Sequence, residues 1–156
     1  MLAARAIEVS GDDYNVYVPY VNILERVGKM EEAQEMRRRH NIVLERQLEF
    51  VPEDVRARIL LAANYAYFGE GERARREAQK AVALRPNDPN ILYNAACTLG
   101  ILNLKEEALG LLRKAKESGF PNLDWAMRDP DLACLHNEPE FQQLVEIGRA
   151  SCRERV

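Results

Sequence analysis

The stretch Leu61-Ala-Ala-Asn-Tyr-Ala-Tyr-Phe-Gly-Glu-Gly-Glu-Arg-Ala74 decides the fold. Leu61, Ala62 and Tyr65 are spaced as apolar residues on one face of a helix. Gly69 interrupts that face, and glycine accepts the left-handed backbone with which helices end. Glu72 follows in the first turn of a second helix, where negative charge is favoured. Ala74 then falls where the second helix presses on the first. A helix, a tight turn and a second helix are written in these fourteen residues.

Working outward, the same grammar recurs on both sides. Tyr20-Val-Asn-Ile-Leu-Glu-Arg-Val-Gly-Lys-Met-Glu-Glu-Ala33 precedes it and Ala95-Ala-Cys-Thr-Leu-Gly-Ile-Leu-Asn-Leu-Lys-Glu-Glu-Ala108 follows. Gly28 and Asn103 take the place of Gly69, and Glu31, Glu32, Glu106 and Glu107 supply the acidic first turns. Ala33, Ala74 and Ala108 oppose Val21, Ala62 and Ala96, so small residues allow close helix contact. Ala74 and Ala108 stand 34 residues apart, whereas Ala33 and Ala74 stand 41 apart. The extra seven residues are almost two helical turns and return the chain to nearly the same face. One long second helix over Met30 to Phe50, ending before Pro52, is therefore expected. It carries His40 where other repeats carry alanine, so its packing should depart from theirs. Pro19, inside the first helix of its repeat, implies either a kink or a later helix start.

Leu61, Ala62, Tyr65, Ala74, Ala78, Ala81 and Pro86 match in order the consensus spacing of the tetratricopeptide (TPR) family, and the chain resembles that family from about Tyr14 to Ser118. The resemblance implies an all-α fold, an α-α superhelix of antiparallel helix pairs, with a short helical C-terminal cap. The expected organisation is a truncated preceding repeat helix at 1–13 and a repeat with an extended second helix at 14–53. Further repeats follow at 54–87 and 88–118, then a helical cap at 119–146 and a non-native tail at 147–156. Ala6-Ile-Glu-Val-Ser-Gly-Asp-Asp13 corresponds to Ala81-Val-Ala-Leu-Arg-Pro-Asn-Asp88, which is why the chain is expected to begin inside a repeat. At the other end, Ile147-Gly-Arg-Ala-Ser-Cys-Arg-Glu-Arg-Val156 resembles a translated Illumina sequencing adapter, so Cys152 and the tail arginines are set aside.

In the cap, Asp129-Pro130 and Glu138-Pro139 each suit a helix start. Phe120, Leu123, Trp125, Leu132, Leu135, Phe141 and Leu144 offer apolar surface to cover the last helix pair, with Trp125 read as a ring the cap buries. Leu92-Tyr-Asn-Ala-Ala-Cys97, Gly119-Phe120, Asp129 to Leu132 and Pro139 to Leu144 resemble the C-terminal TPR regions of bacterial class III adenylate cyclases and serine/threonine kinases. That resemblance implies a larger regulatory parent whose catalytic domain lies upstream.

Composition sets limits on function. A net charge of −3 gives no global positive field for phosphate backbones, so no nucleic-acid partner is expected. No apolar run approaches the roughly 20 residues of a membrane span, and no membrane segment is expected. Cys97, Cys134 and Cys152 lack paired spacing, which argues against a disulfide framework and for a reducing, cytoplasmic setting. His40 and His136 sit in no metal-spaced pair, so neither metal nor cofactor is expected, and no catalytic residue either. Gly69-Glu-Gly71 carries an acid that repels phosphate. The arginines Arg37-Arg38-Arg39 and Arg73, Arg75 and Arg76 are read as a solvated outer face without the aromatics that stack bases.

In the family that the chain resembles, first helices line a concave partner-binding groove. The corresponding residues are Asn15, Val18, Asn22 and Arg26; Arg56, Ile59, Ala63 and Tyr67; and Asn90, Tyr93, Asn94, Cys97 and Ile101. An extended or helical peptide with apolar anchors would suit such a lining. Only Asn22 fits a carboxylate clamp of the chaperone-binding kind, because Val18, Leu60, Asn90 and Asn94 stand at its other places. The expected role is a protein-protein interaction scaffold without enzymatic activity, binding a protein, a peptide or an upstream domain of its own parent. The alternative is the regulatory C-terminal region of a signalling enzyme, a nucleotide cyclase or serine/threonine kinase.

Overall fold

The computed structural model describes residues 13–121 and 123–153, with side chains placed through Glu146. Among these residues the fold is all-α. The α-helices are α1 (Tyr17–Arg26), α2 (Met30–Phe50), α3 (Val55–Tyr67), α4 (Gly71–Leu84), α5 (Pro89–Ile101), α6 (Lys105–Glu117) and α7 (Pro139–Arg153). Three 3-10 turns join them, at Tyr14–Val16, Leu123–Met127 and Pro130–Leu135. The expected remnant helix at 1–13 lies outside the described residues except for Asp13, as do tail residues 154–156; the backbone of α7 is helical through Arg153. No helix among the described residues is long and apolar enough to cross a membrane. The chain divides into two compact units, Met1–Ala57 and Arg58–Val156.

The helix-to-helix turns are the repeated element. Gly28, Gly69 and Asn103 all have positive φ, at 77°, 74° and 59°. Asn103 is the sole non-glycine among the described residues to do so. In each turn the amide of the residue immediately before the next helix closes back five residues: Lys29 N to Leu24 O, Glu70 N to Tyr65 O and Leu104 N to Leu99 O, each at 2.9 Å. The next helix then opens with Ala33 N to Lys29 O, Ala74 N to Glu70 O and Ala108 N to Leu104 O. These bonds satisfy carbonyls that a helix end would otherwise leave without partners. Gly119 repeats the device where α6 passes into the cap, with φ of 91° and Phe120 N bonded to Ala115 O at 2.9 Å.

In the first unit the long helix α2 has the extent that the seven extra residues predict. Pro19 lies in the first turn of α1, whose amides have no helical acceptor, so it deletes no helical bond. The 3-10 turn at Tyr14–Val16 leads into it. Asp54, just before α3, gathers three elements. Its carboxylate accepts from Tyr14 Oη at 3.1 Å, Gln47 Nε2 at 2.8 Å and the Ala57 amide at 3.0 Å. Partial burial opposes its charge, yet these hydrogen bonds win and hold the carboxyl below its usual range.

His40 is buried and its ring stacks on Tyr17, with centroids 5.0 Å apart and planes 2° from parallel. Burial pushes its pKa down to about 4, a bond to the Tyr14 backbone opposes this, and the Arg37 charge adds to it. Arg37 does not belong to a solvated outer face: it is buried and bonded to Glu25 at 2.5 Å. It stands four residues after Ala33, a register that turns it inward as it does Ala78 after Ala74.

In the second unit, Leu92, Leu112, Leu132, Leu135, Phe141 and Val145 share one core, so α5, α6 and the cap form a single apolar body. Arg58 and Glu77 tie α3 to α4 by an ion pair, and Arg73 lies over the Tyr65 ring at 4.0 Å while bonding its hydroxyl. Trp125 departs from expectation, being 52% exposed. A 3-10 turn advances three residues per turn, so Leu123 and Ala126 share its inner face and Trp125 points away.

Candidate functional site

The expected groove residues fall into both units and are taken unit by unit. In the first, Asn15, Asn22, Arg26 and Arg56 are exposed and Val18 is half-buried. Asn15 and Arg56 meet, with Arg56 Nε donating to Asn15 Oδ1 at 2.7 Å. Asp13 orients Asn15 by accepting from its amide and its Nδ2, both at 2.9 Å. This is a polar face built by the 3-10 turn and the start of α3. Sequence reasoning missed a neighbouring apolar surface: Ile23, Val27 and Met30 are all more than half exposed. Ile23 on α1 and Val27 just past its end are four apart, a spacing that could have shown them sharing a side.

In the second unit, Asn90 and Asn94 are exposed along α5, Ala63 and Ile101 are half-buried, and Tyr67 is 42% exposed. Ile59, Tyr93 and Cys97 are buried, which corrects their placement on an open groove wall. For Tyr93 and Cys97 the physical reason is the cap. Phe120 stacks on the Tyr93 ring at 4.3 Å between centroids. Tyr93 Oη donates to Asp129 Oδ2 at 2.7 Å, and Cys97 Sγ donates to the same oxygen at 3.7 Å. Tyr67 Oη donates to Asp131 Oδ1, and Cys134 Sγ donates to Gly100 O at 3.3 Å. The Pro130–Leu135 turn therefore sits on the face of α5 that was expected to receive a partner.

Two local features seat that turn. Asp129 starts it by accepting from the Asp131 amide at 3.1 Å through Oδ1, with Pro130 supplying a preset φ. Gly100 lets it come close: a Cβ there would lie 2.4 Å from the Asp131 carbonyl oxygen. The Asp129-Pro130 start was legible in sequence, but the partner of Gly100, 31 residues away, was not.

Cys97, Asp129 and Asp131 bring three potential ligand atoms within 4.8 Å of one another. Their chemistry is that of a hydrogen-bonded clasp. Burial first, and then the charges of Asp129 and Asp131, push the Cys97 thiol well above its usual range, so it stays protonated and donates. Burial likewise pushes the Tyr93 phenol up, keeping its proton on the bond to Asp129. Asp129 spends one oxygen on the turn and the other on Tyr93 and Cys97.

No protein-family model matches the chain, and no curated protein is significantly similar to it.

Proposed function

We propose that this chain is a protein-protein interaction module of TPR type, belonging to a larger bacterial regulatory protein and without catalytic chemistry of its own. The observation that carries the reading is the threefold turn at Gly28, Gly69 and Asn103, with Ala33, Ala74 and Ala108 buried at the same distance beyond each. Helix pairs with that register stack to present first-helix faces, and such faces suit peptides or partner domains. The contact residues are the exposed ones: Asn15, Asn22, Arg26 and Arg56 in the first unit, and Tyr67, Asn90 and Asn94 in the second. Tyr93 and Cys97 serve the cap instead.

The test is a site-specific photo-crosslinker in the immobilised chain, offered both cell extract and the domains encoded upstream. At Asn22 or Asn94 it should trap a retained protein, and at Lys80, exposed on α4, it should not. Equal trapping at all three, or nothing retained, would count against a first-helix contact face. The cap elements Gly119-Phe120, Asp129 to Leu132 and Pro139 to Leu144 favour a second reading, a regulatory region attached to a cyclase or kinase. The reading frame upstream of Met1 tests that directly: a catalytic domain supports it, and a free-standing gene removes it.

A further inference from the structure

On the second unit, α4 and α6 leave between them an apolar cleft of about 450 Å³, floored by Leu99 of α5. Ala78, Val82, Ala83 and Leu111 form its walls, and Gly110 opens it midway along α6. Gly110 is the unusual residue. Its backbone is ordinary helix rather than left-handed, and a Cβ there would meet nothing within 4 Å. Neither conformation nor packing calls for a glycine, which costs about 1 kcal/mol against alanine inside a helix. At the same distance beyond Ala33 and Ala74 the other second helices carry Glu35 and Arg76. What the missing side chain accomplishes is to leave the cleft unfilled.

We infer that this cleft is a binding site for a small uncharged apolar molecule, an aryl or short alkyl body without a charged head group. Its volume lies within the range of small-molecule sites, roughly 300–1,000 Å³. The charged groups on its rim face each other: Arg75 Nη2 donates to both carboxylate oxygens of Glu107 at 2.9 Å, bridging α4 to α6, while Arg75 Nε is buried without a hydrogen-bond partner. A charged ligand would have to break that pair or go uncompensated. A polypeptide laid in the cleft would need partners for its amides and carbonyls, and the lining offers little beyond Gln79 and the ion pair. An apolar small molecule brings no polar group of its own that needs a partner there.

The experiment is a fluorescence titration of the full chain with N-phenyl-1-naphthylamine, beside its sulfonated relative 8-anilino-1-naphthalenesulfonate. The uncharged probe should bind saturably at one site, and the sulfonate at least about tenfold more weakly, a difference of about 1.4 kcal/mol. Gly110→Leu should fill the cleft, weaken the uncharged probe at least about tenfold and leave the unfolding midpoint at or above that of the parent chain. Gly110→Ala adds only a methyl group, and should raise the midpoint while weakening the probe less, which keeps the test sound if leucine proves too large. The inference is overturned by absent saturable binding in the parent chain, by equal or tighter binding of the sulfonate, or by unchanged affinity in both variants.

Discussion

The hairpin α1–α2 and the hairpin α5–α6 are built on the same turn and differ in what they bury. Beyond Ala108 the inward positions hold Leu112 and Ala115, both fully buried in an apolar core that continues into the cap. Beyond Ala33 the same positions hold Arg37 and His40, also buried. Three residues before each turn glycine or asparagine stand Glu25 in the first hairpin and Gly100 in the last. Glu25 pairs with Arg37, while Gly100 makes room for the cap backbone. Register alone thus decides which positions turn inward, and side-chain chemistry decides whether that inward face is sealed by ion pairing or by another element.

The largest effect expected from disturbing this difference is at Gly100. Gly100→Ala places a methyl group against the Asp131 carbonyl, where backbone rather than a flexible side chain must yield. A loss of about 3 kcal/mol is expected, the upper end of overpacking costs. Urea unfolding measures it, and a loss near zero would mean that the cap does not sit tightly on α5. The control is Ala66→Gly at the matching place before Gly69, which should cost no more than about 1 kcal/mol.

Next comes acid. His40 has its folded-state pKa depressed to about 4 from an ordinary 6.5, so the folded state binds fewer protons than the unfolded one. The stability it contributes is whole above pH 6.5 and is lost as pH falls through that value toward 4. Between pH 7.5 and 5 the first hairpin should lose about 2 kcal/mol, read from amide exchange in α1 and α2. His40→Phe keeps a ring against Tyr17 and should flatten that pH dependence, while α5 and α6 should show none of it from this source. An unchanged acid response in the variant would assign it to another group.

The smallest effects belong to the turns that the hairpins share. Gly28→Ala forces an alanine to a φ of 77° with open space around it, so only conformation is penalised, by about 1 kcal/mol. Asn103→Gly relieves a φ of 59° and should stabilise by a few tenths. Thermal midpoints of the two variants, moving in opposite directions, would confirm that the turns are interchangeable. Movement in the same direction would separate them.

The helices and turns were legible because their signals are local. A glycine or asparagine, an acidic first turn and an alanine suffice within fourteen residues, and the seven-residue surplus before Ala74 fixed the length of α2. Asp129-Pro130 and Glu138-Pro139 marked a turn start and a helix start for the same reason. The candidate face was legible only in part. Asn22, Arg26 and Asn94 stay exposed, whereas Tyr93 and Cys97 are covered by residues more than twenty positions away. No periodicity within α5 announces that covering, since an apolar face turned to a partner and one turned to a cap read alike. Trp125 failed for a smaller reason, a 3-10 rather than α-helical phase that moves a side chain off the buried side.

Asp129 and Asp54 share a property that reaches beyond bonding. Each begins a local helical turn with one set of contacts and fastens a distant tyrosine with another, Tyr93 in one case and Tyr14 in the other. A side chain with two such duties makes nucleation and docking a single event, because a turn formed out of place leaves the tyrosine unfastened and a displaced tyrosine weakens the turn. Forming the turn and fastening the tyrosine are therefore coupled at these two points, and each favours the other.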